Sequence, residues 1–190
     1  MQDAPLRRST PCPWRPMTEA EWQSLSTLLR GSGRGRPPKD ARRQWDGIFW
    51  VACSTGPWRD MPAEFGRADT AHRMLRRAAA ARLLHRLLLA LARRGDGGGL
   101  RGLEWFITRA FRRVFRVAPD AIAFARRLGF ASALPAEPDY LPRPLLSESL
   151  HALIEKSRAY VGRLPEEFLA ILLTYYRYAG GRPREWKTTG

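Results

Sequence analysis

The run Thr-Gly-Pro-Trp-Arg-Asp-Met-Pro at residues 55–62 constrains the fold of this chain more than any other stretch. Glycine has a poor helix propensity and proline removes a backbone donor, so Gly56-Pro57 ends the helix that precedes it. Apolar residues recur at helical spacing before this corner and predict a buried helical face: Trp45, Ile48, Phe49, Ala52 and Cys53. Asp40 is placed to cap the start of that helix. A buried helix and a sharp corner together predict a compact helical unit.

Helices are predicted on both sides of this unit. Thr18 and Glu21 form a capping-box pattern, which predicts a first helix that runs to about residue 30. After the corner, a short third helix is expected at residues 58–65. A turn then leads to a fourth helix, which Asp69 or Thr70 caps.

The fourth helix is predicted to be long. Met74 and Leu75 are expected to face the interior. Residues 78–87 consist mostly of alanine and leucine, which are strong helix formers. We therefore expect the helix to be maintained and lengthened through this stretch.

The second half of the chain also has a helical pattern. A glycine-rich break at residues 96–99 precedes a basic amphipathic helix at 103–116, and further helices are predicted at 119–128, 147–162 and 164–178. The basic helix fits a core helix with a solvated face, or one that lies on an acidic partner, nucleic acid or a membrane. No strand signal of any length occurs, so the predicted fold class is all-α.

Composition shifts predict six segments along the chain. In order they are a flexible lead-in at 1–16, a helical domain at 17–94, basic amphipathic helices at 95–134, a proline-rich connector at 135–146, a C-terminal helical hairpin at 147–180 and a tail at 181–190.

Charge points to the kind of partner. The chain has 33 basic and 18 acidic residues, a net charge of +15 and a sequence pI of about 11.2. Residues 34–94 contain 14 basic and 5 acidic residues, a net charge of +9, so the excess is densest around the corner. Such an excess favours a polyanionic partner, nucleic acid first and an anionic membrane surface second.

Five motifs follow one another around the corner. They are Met-Thr-Glu-Ala-Glu-Trp at 17–22, Gly-Arg-Pro at 35–37, Gly-Ile-Phe-Trp-Val at 47–51, the corner at 55–62 and Glu-Phe-Gly at 64–66. In this order and spacing, residues 16–92 resemble the N-terminal helix-turn-helix region of the insertion-element transposases of the IS-five group. The resemblance implies an N-terminal helix-turn-helix domain that binds double-stranded DNA, followed here by a second helical region.

Two elements carry the DNA-binding residues that this resemblance implies. The second helix of such a motif lies against base edges in the major groove, so the fourth helix is the candidate recognition helix. Its candidate residues are Thr70, His72, Arg73, Arg76 and Arg77. His72 is equally consistent with a surface residue that has no role. The basic stretch before the second helix adds Arg34, Arg36, Lys39, Arg42 and Arg43.

Two features leave the mode of binding open. Residues 34–37 are also the core of an AT-hook, in which extended backbone lets two arginines lie in a narrow minor groove; the alternative is a basic linker that contacts phosphates alone. The family usually has aromatic residues at four positions where this chain has Ala68, His72, Ala78 and Leu84. Their loss weakens the case for groove recognition more than the case for the fold.

Catalysis is not expected. In the family, a ribonuclease-H-like domain follows, and its three separated carboxylates hold two metal ions for strand transfer. Such a site needs strands that bring distant acids together, whereas the region after residue 94 has a helical pattern and ten acids. Cys12 and Cys53 form neither a zinc ligand set nor a disulfide framework. We therefore expect no enzymatic activity, no metal and no cofactor.

Location and function follow as expectations. No signal-peptide pattern opens the chain, and its longest apolar run, residues 87–92, is too short to span a membrane. We expect a cytoplasmic, nucleoid-associated protein that binds DNA, in transcription regulation or as an accessory or remnant of DNA transposition. The alternative is an interaction protein whose C-terminal helices bind a protein partner or a membrane surface, with a decayed DNA site.

Overall fold

The computed structural model describes residues 6–29, 40–93, 98–115, 117–118, 121–134, 144–157, 160 and 164–180. Its α-helices are α1 (Glu19–Leu29), α2 (Ala41–Ser54), α3 (Ala68–Ala80), α4 (Leu83–Ala92), α5 (Glu104–Arg112), α6 (Ala121–Arg127), α7 (Pro144–Ser157) and α8 (Glu166–Gly180). Short 3₁₀ turns lie at Trp58–Asp60, Ala63–Phe65, Gly98–Leu103 and Ala131–Ala133. The only β-type pairing in this part of the chain is an isolated parallel bridge between Arg7 and Phe130. The predicted all-α class is confirmed.

Helix α2 forms the centre of the core, as its apolar spacing predicts. The predicted face is buried at Trp45, Ile48, Phe49 and Ala52 and half-buried at Cys53. The ring of Phe49 stacks on the ring of Phe106 in α5, with 5.9 Å between the ring centroids. An apolar face of this size stabilises the fold by removing its surface from water.

The sequence predicts a domain boundary between residues 94 and 95, and apolar contacts cross it. Helix α5 lies beyond that boundary and packs against both α2 and α4. The turn Gly98–Leu103 packs against α1, and a single buried apolar cluster has members from Met17 to Leu134. The glycine-rich stretch therefore connects helices of one core, because the apolar faces of the helices on its two sides pack against each other.

Residues 6–16 belong to the segment predicted to be a flexible lead-in, and some of them contact the core. The N–H of Arg7 donates to the carbonyl of Gly129 at 2.7 Å, and the N–H of Ala131 donates to the carbonyl of Arg7 at 3.0 Å. The Arg7 guanidinium lies over the ring of Phe130, 4.5 Å from its centroid. Trp14 Nε1 donates to the carbonyl of Asp46 at 3.2 Å. These contacts hold the segment against the core, although its apolar residues recur with neither helical nor strand periodicity.

The start of α1 has the capping box that the sequence predicts. The N–H of Thr18 donates to Glu21 Oε2 at 2.8 Å, and the N–H of Glu21 donates to Thr18 Oγ1 at 3.3 Å. The cap predicted for α2 differs. Asp40 occupies the N-cap position, but its side chain makes no capping hydrogen bond.

The helix expected to continue from residue 69 through residue 87 is broken. Helix α3 ends at Ala80, and Arg82 adopts the left-handed conformation with φ of 56° before α4 begins at Leu83. The break reorients the leucine-rich stretch so that its long side chains enter the core at Leu83, Leu84, Leu87, Leu88 and Leu91. Burial of these residues outweighs the local helix propensity of the alanine run.

Helices α7 and α8 pack against each other and against α6. Helix α7 begins at Pro144, inside the segment expected to be the connector at 135–146. Residues 135–143 of that connector, the 181–190 tail and the 34–37 motif lie outside the described residues.

Candidate nucleic-acid interface

Helix α3 has one apolar face and one basic face. The apolar face is buried at Ala71, Met74, Leu75, Ala78 and Ala79. Met74 and Leu75 thus face the interior, as predicted. On the opposite face Arg73, Arg76 and Arg77 are exposed. Three guanidinium groups within five residues of one helix can contact a polyanion without loss of core packing.

The two candidates of α3 that are not arginines, Thr70 and His72, are half-buried. Thr70 lies in the first turn of the helix, and its N–H donates to the carbonyl of Arg67 at 3.0 Å. The ring of His72 lies 5.1 Å from the ring of Trp58. His72 therefore packs against the corner that the sequence singles out, which fixes the start of α3 relative to that corner.

Arg42 and Arg43 bind other parts of the protein. Arg42 Nη1 is 2.5 Å from Glu19 Oε2, and Arg42 Nη2 donates to the carbonyl of Met17 at 2.6 Å. Arg43 Nε donates to the carbonyl of Glu64. These contacts join α2 to α1 and to the 63–65 turn. The two guanidinium groups predicted to contact phosphates therefore also bind other parts of the protein.

The other three predicted residues lie outside the described part of the chain. Arg34, Arg36 and Lys39 lie between the described residues Leu29 and Asp40. Their contribution to DNA binding stays a prediction.

A basic cleft of about 760 Å³ lies beside α3, and the sequence did not predict it. Its walls come from the end of α2, the corner, α3 and the C-terminal end of α5. They consist of Ala52, Thr55, Trp58, His72, Leu75, Arg76, Arg109, Arg112, Arg113, Val114, Phe115 and Val117. The arginine spacing of the basic amphipathic helix was the available signal, but that helix was assigned to a separate region.

Arg113 holds the cleft together. Its Nη2 donates to the carbonyls of Val51 and Gly56, at 2.6 Å and 2.8 Å, and so caps the C-terminal end of α2. Burial lowers the pKa of Arg113, and the nearby positive charges of Arg109 and Arg112 lower it further. The cleft is therefore a region of concentrated positive potential.

Among the described residues, the cysteines and acids do not come together as a metal centre. Burial raises the pKa of Cys53 to about 12 and also raises the pKa of Cys12, which keeps both thiols protonated near neutral pH. In the part of the chain that the structure describes, no group of three or more His, Cys, Asp or Glu residues could hold a metal ion. A search of those same residues finds no helix with the length and apolar character that a membrane crossing requires.

Comparison with known proteins gives a family match for part of the chain. Residues 17–88, which contain α1 to α3 and the first half of α4, match the family model described as "Putative transposase of IS4/5 family (DUF4096)". This match confirms, for that part of the chain, the resemblance inferred from the five motifs. Helix α5 and the arginines that it brings to the cleft lie outside the match.

One relative is similar over a comparable length. The chain is 28% identical over 93 residues to "Uncharacterized protein y4sN" from Sinorhizobium fredii (strain NBRC 101917 / NGR234), which covers 48% of this chain and 70% of that protein. No solved structure matches the chain.

Proposed function

We propose that this protein binds double-stranded DNA through the basic face of α3, in transcription regulation or as an accessory or remnant of DNA transposition. The observation that carries the proposal is the division of α3 into a buried apolar face and an exposed face with Arg73, Arg76 and Arg77. It supports the proposal because α3 lies within the transposase-related region. The net charge of +9 at residues 34–94 favours the same partner.

The proposed contacts divide into two kinds. An arginine held on a helix has a fixed direction, so Arg73 and Arg76 are suited to bidentate contact with guanine in the major groove. The basic stretch with Arg34, Arg36 and Lys39 would supply phosphate contacts, which raise the affinity for all sequences alike. Arg42 and Arg43 contribute chiefly by holding α2 in place, because their guanidinium groups bind Glu19, Met17 and Glu64.

Selection of binding sites from random duplex DNA tests this division. We expect the full chain to select a motif, and Arg73→Ala or Arg76→Ala to erode preference for it by about 1 to 3 kcal/mol per lost contact. Binding of these variants to random DNA should change less than their binding to the selected site. Circular dichroism must first establish that each variant keeps its helix content. If the intact protein selects no motif, α3 is not a recognition helix.

We also propose that this chain does not cleave or join DNA strands. A two-metal site needs carboxylates held close together, and no metal-binding group occurs among the described residues. Incubation of the full chain with supercoiled plasmid and Mg²⁺ or Mn²⁺ should leave the plasmid intact. Nicking that survives repurification and is lost in Asp69→Asn or Glu104→Gln would contradict this part of the proposal.

A second candidate function rests on α8. Its large apolar side chains are exposed at Leu169, Ile171, Leu173, Tyr175 and Tyr178. Exposed apolar surface of this extent is typical of a protein or membrane contact. Sedimentation of the full chain, alone and with anionic vesicles, distinguishes a second copy of the chain from a membrane as the partner. Association that disappears in a Leu169→Glu, Ile171→Glu variant would favour this function over DNA binding.

A further inference from the structure

The cleft between α3 and α5 has the composition of an anion site. Four arginines occur among the described residues that line it: Arg76 from α3, and Arg109, Arg112 and Arg113 from α5 or its end. Among the described residues that line it there is no aspartate or glutamate. Like charges brought this close repel one another, and the repulsion is relieved when an anion binds between them.

The ion pairs seen between described residues involve neither Arg76 nor Arg109. They involve Arg7, Arg15, Arg42, Arg43 and Arg59. None of these pairs joins a carboxylate to Arg76 or Arg109. Protein acids therefore do not neutralise these two walls of the cleft within the described part of the chain.

Arg109 provides the most specific feature. Its guanidinium lies near the ring of Trp105, with Cζ 5.4 Å from the ring centroid, which fixes its position. Its Nε is buried and has no hydrogen-bond partner. A buried donor without an acceptor raises the free energy of the folded protein. A ligand oxygen that accepts a hydrogen bond from this Nε removes that penalty, which favours binding of the ligand. Phosphate oxygens are well matched to arginine donors of this kind.

The remaining walls suit the rest of a nucleotide. The rings of Trp58 and His72 lie side by side at the corner, 5.1 Å apart. Leu75 and Val114 add apolar surface. A volume of about 760 Å³ is larger than one phosphate requires, and small-molecule sites typically have about 300 to 1,000 Å³. Aromatic side chains beside cations are the usual setting in which a base stacks while its phosphate is neutralised.

We propose that this cleft is a phosphate-ester site that binds one nucleotide unit, with the phosphate at Arg109 and Arg112 and the base on the side of Trp58. Arg76, which is exposed, adds positive charge at the edge of the cleft. The unit comes either from a DNA strand that continues past α3 or from a free nucleotide. The DNA source rests on the proposed function, whereas the free-nucleotide source does not. Arg113 contributes charge, but its hydrogen bonds belong to the cap of α2.

The first test measures binding of dAMP, dTMP and inorganic phosphate to the full chain by calorimetry. The Arg109→Gln, Arg112→Gln variant should bind the nucleotides at least about tenfold more weakly, because each lost contact is a charge-assisted hydrogen bond. The matched control is Arg86→Gln, Arg93→Gln, which removes the same charge from two exposed positions of α4 and its end. The control should stay within about twofold of the unchanged protein.

The second test measures duplex DNA binding against salt for the same proteins. If DNA is the source, the cleft variant should have a slope flatter by about 1 to 2 than the control. Nucleotide binding that is lost in the cleft variant, with an unchanged DNA slope, identifies the free nucleotide as the ligand. Equal nucleotide affinity and equal slopes in the cleft variant and the control overturn the proposal. Failure of the unchanged protein to bind DNA, with cleft-dependent nucleotide binding, contradicts the proposed function alone.

A measurement on the unchanged protein covers the case in which the variant does not fold. Phenylglyoxal modifies accessible arginines, and mass spectrometry locates the products. We expect dAMP to protect Arg76 and Arg112 but not Arg86 or Arg93. Equal modification of all four with and without dAMP, together with no protection by duplex DNA, would overturn the proposal.

Discussion

At the scale of single residues, the capping box was predictable and the environment of its glutamate was not. Thr18 and Glu21 are three residues apart in sequence, so their reciprocal hydrogen bonds follow from helix geometry. Glu21 is also buried and accepts hydrogen bonds from Arg15 at 2.5 Å and 2.7 Å. Arg15 belongs to a segment without periodicity, whose position depends on contacts with residues more than 100 positions away, such as Gly129.

The ion pair of Glu21 predicts a pH dependence of stability. The hydrogen bonds from Arg15 hold the pKa of Glu21 below its usual value of 4.5, although burial opposes them. A lowered folded-state pKa means that the stabilisation is present above about pH 4.5 and is lost as the pH falls through the folded-state pKa. Glu21→Gln should lower the free energy of unfolding at pH 7 by about 1 to 3 kcal/mol. This is less than for a fully buried ion pair, because 44% of the Arg15 side chain is exposed and solvent screens its charge.

Urea unfolding at pH 7 and at pH 3 measures this effect. The loss in Glu21→Gln should shrink at pH 3, because this pH lies below 4.5 and Glu21 is then protonated in the unfolded chain. Arg59→Ala is the control, because Arg59 is 87% exposed and 3.8 Å from Asp60; it should change stability by less than about 0.5 kcal/mol. An equal loss for Glu21→Gln at both pH values would show that the carboxylate charge is not the cause.

At the scale of elements, the sequence predicted the helices around the corner better than their ends. The apolar spacing of α2 and the inward direction of Met74 and Leu75 followed from periodicity alone. The predicted third helix is instead two separate 3₁₀ turns, Trp58–Asp60 and Ala63–Phe65. The break at Arg82 was missed because alanine and leucine favour helix locally, whereas the break is set by which leucines the core can bury.

The left-handed conformation of Arg82 makes the break testable. A non-glycine residue in this conformation is strained by about 1 to 2 kcal/mol, and glycine is not. Arg82→Gly should therefore keep or raise the thermal stability, even with the 3.1 Å contact to His85 removed. Arg86→Gly, in the exposed interior of α4, should cost about 1 kcal/mol. If Arg82→Gly destabilises the protein as much as Arg86→Gly, the chain does not break there in solution.

At the scale of the whole molecule, the apolar interior joins regions that composition separates. Residues 17–94 carry the family resemblance and just over half of the net positive charge. The sequence predicted that they form a domain of their own. In the structure, Phe106 of α5 stacks on Phe49 of α2, and Arg113 caps the end of α2. Such pairings between distant segments leave no local signal, so the arginine spacing of α5 indicated a basic surface but not that α5 packs on α2 and forms a cleft with α3.

The shared core predicts that residues 17–94 do not fold alone. A fragment of those residues should lack a cooperative thermal transition, because α2 would expose the face that α5 covers. In the full chain, Phe106→Ala should lower the free energy of unfolding by about 3 to 5 kcal/mol. Leu6→Ala is the control, since Leu6 is 46% exposed, and its effect should be below about 0.5 kcal/mol. Cooperative melting of the fragment with native helix content would contradict the shared core.

The salt dependence of binding by the full chain to duplex DNA tests the central claim most directly. Contact with roughly 4 to 6 phosphates predicts that the logarithm of the binding constant falls against the logarithm of salt concentration with a slope of about −4 to −5. The Arg73→Gln, Arg77→Gln variant should bind more weakly and with a flatter slope than Arg86→Gln, Arg93→Gln, which has the same net charge. A slope flatter than about −1.5 for the unchanged protein, or identical behaviour of the two variants, would contradict DNA binding by the basic face of α3.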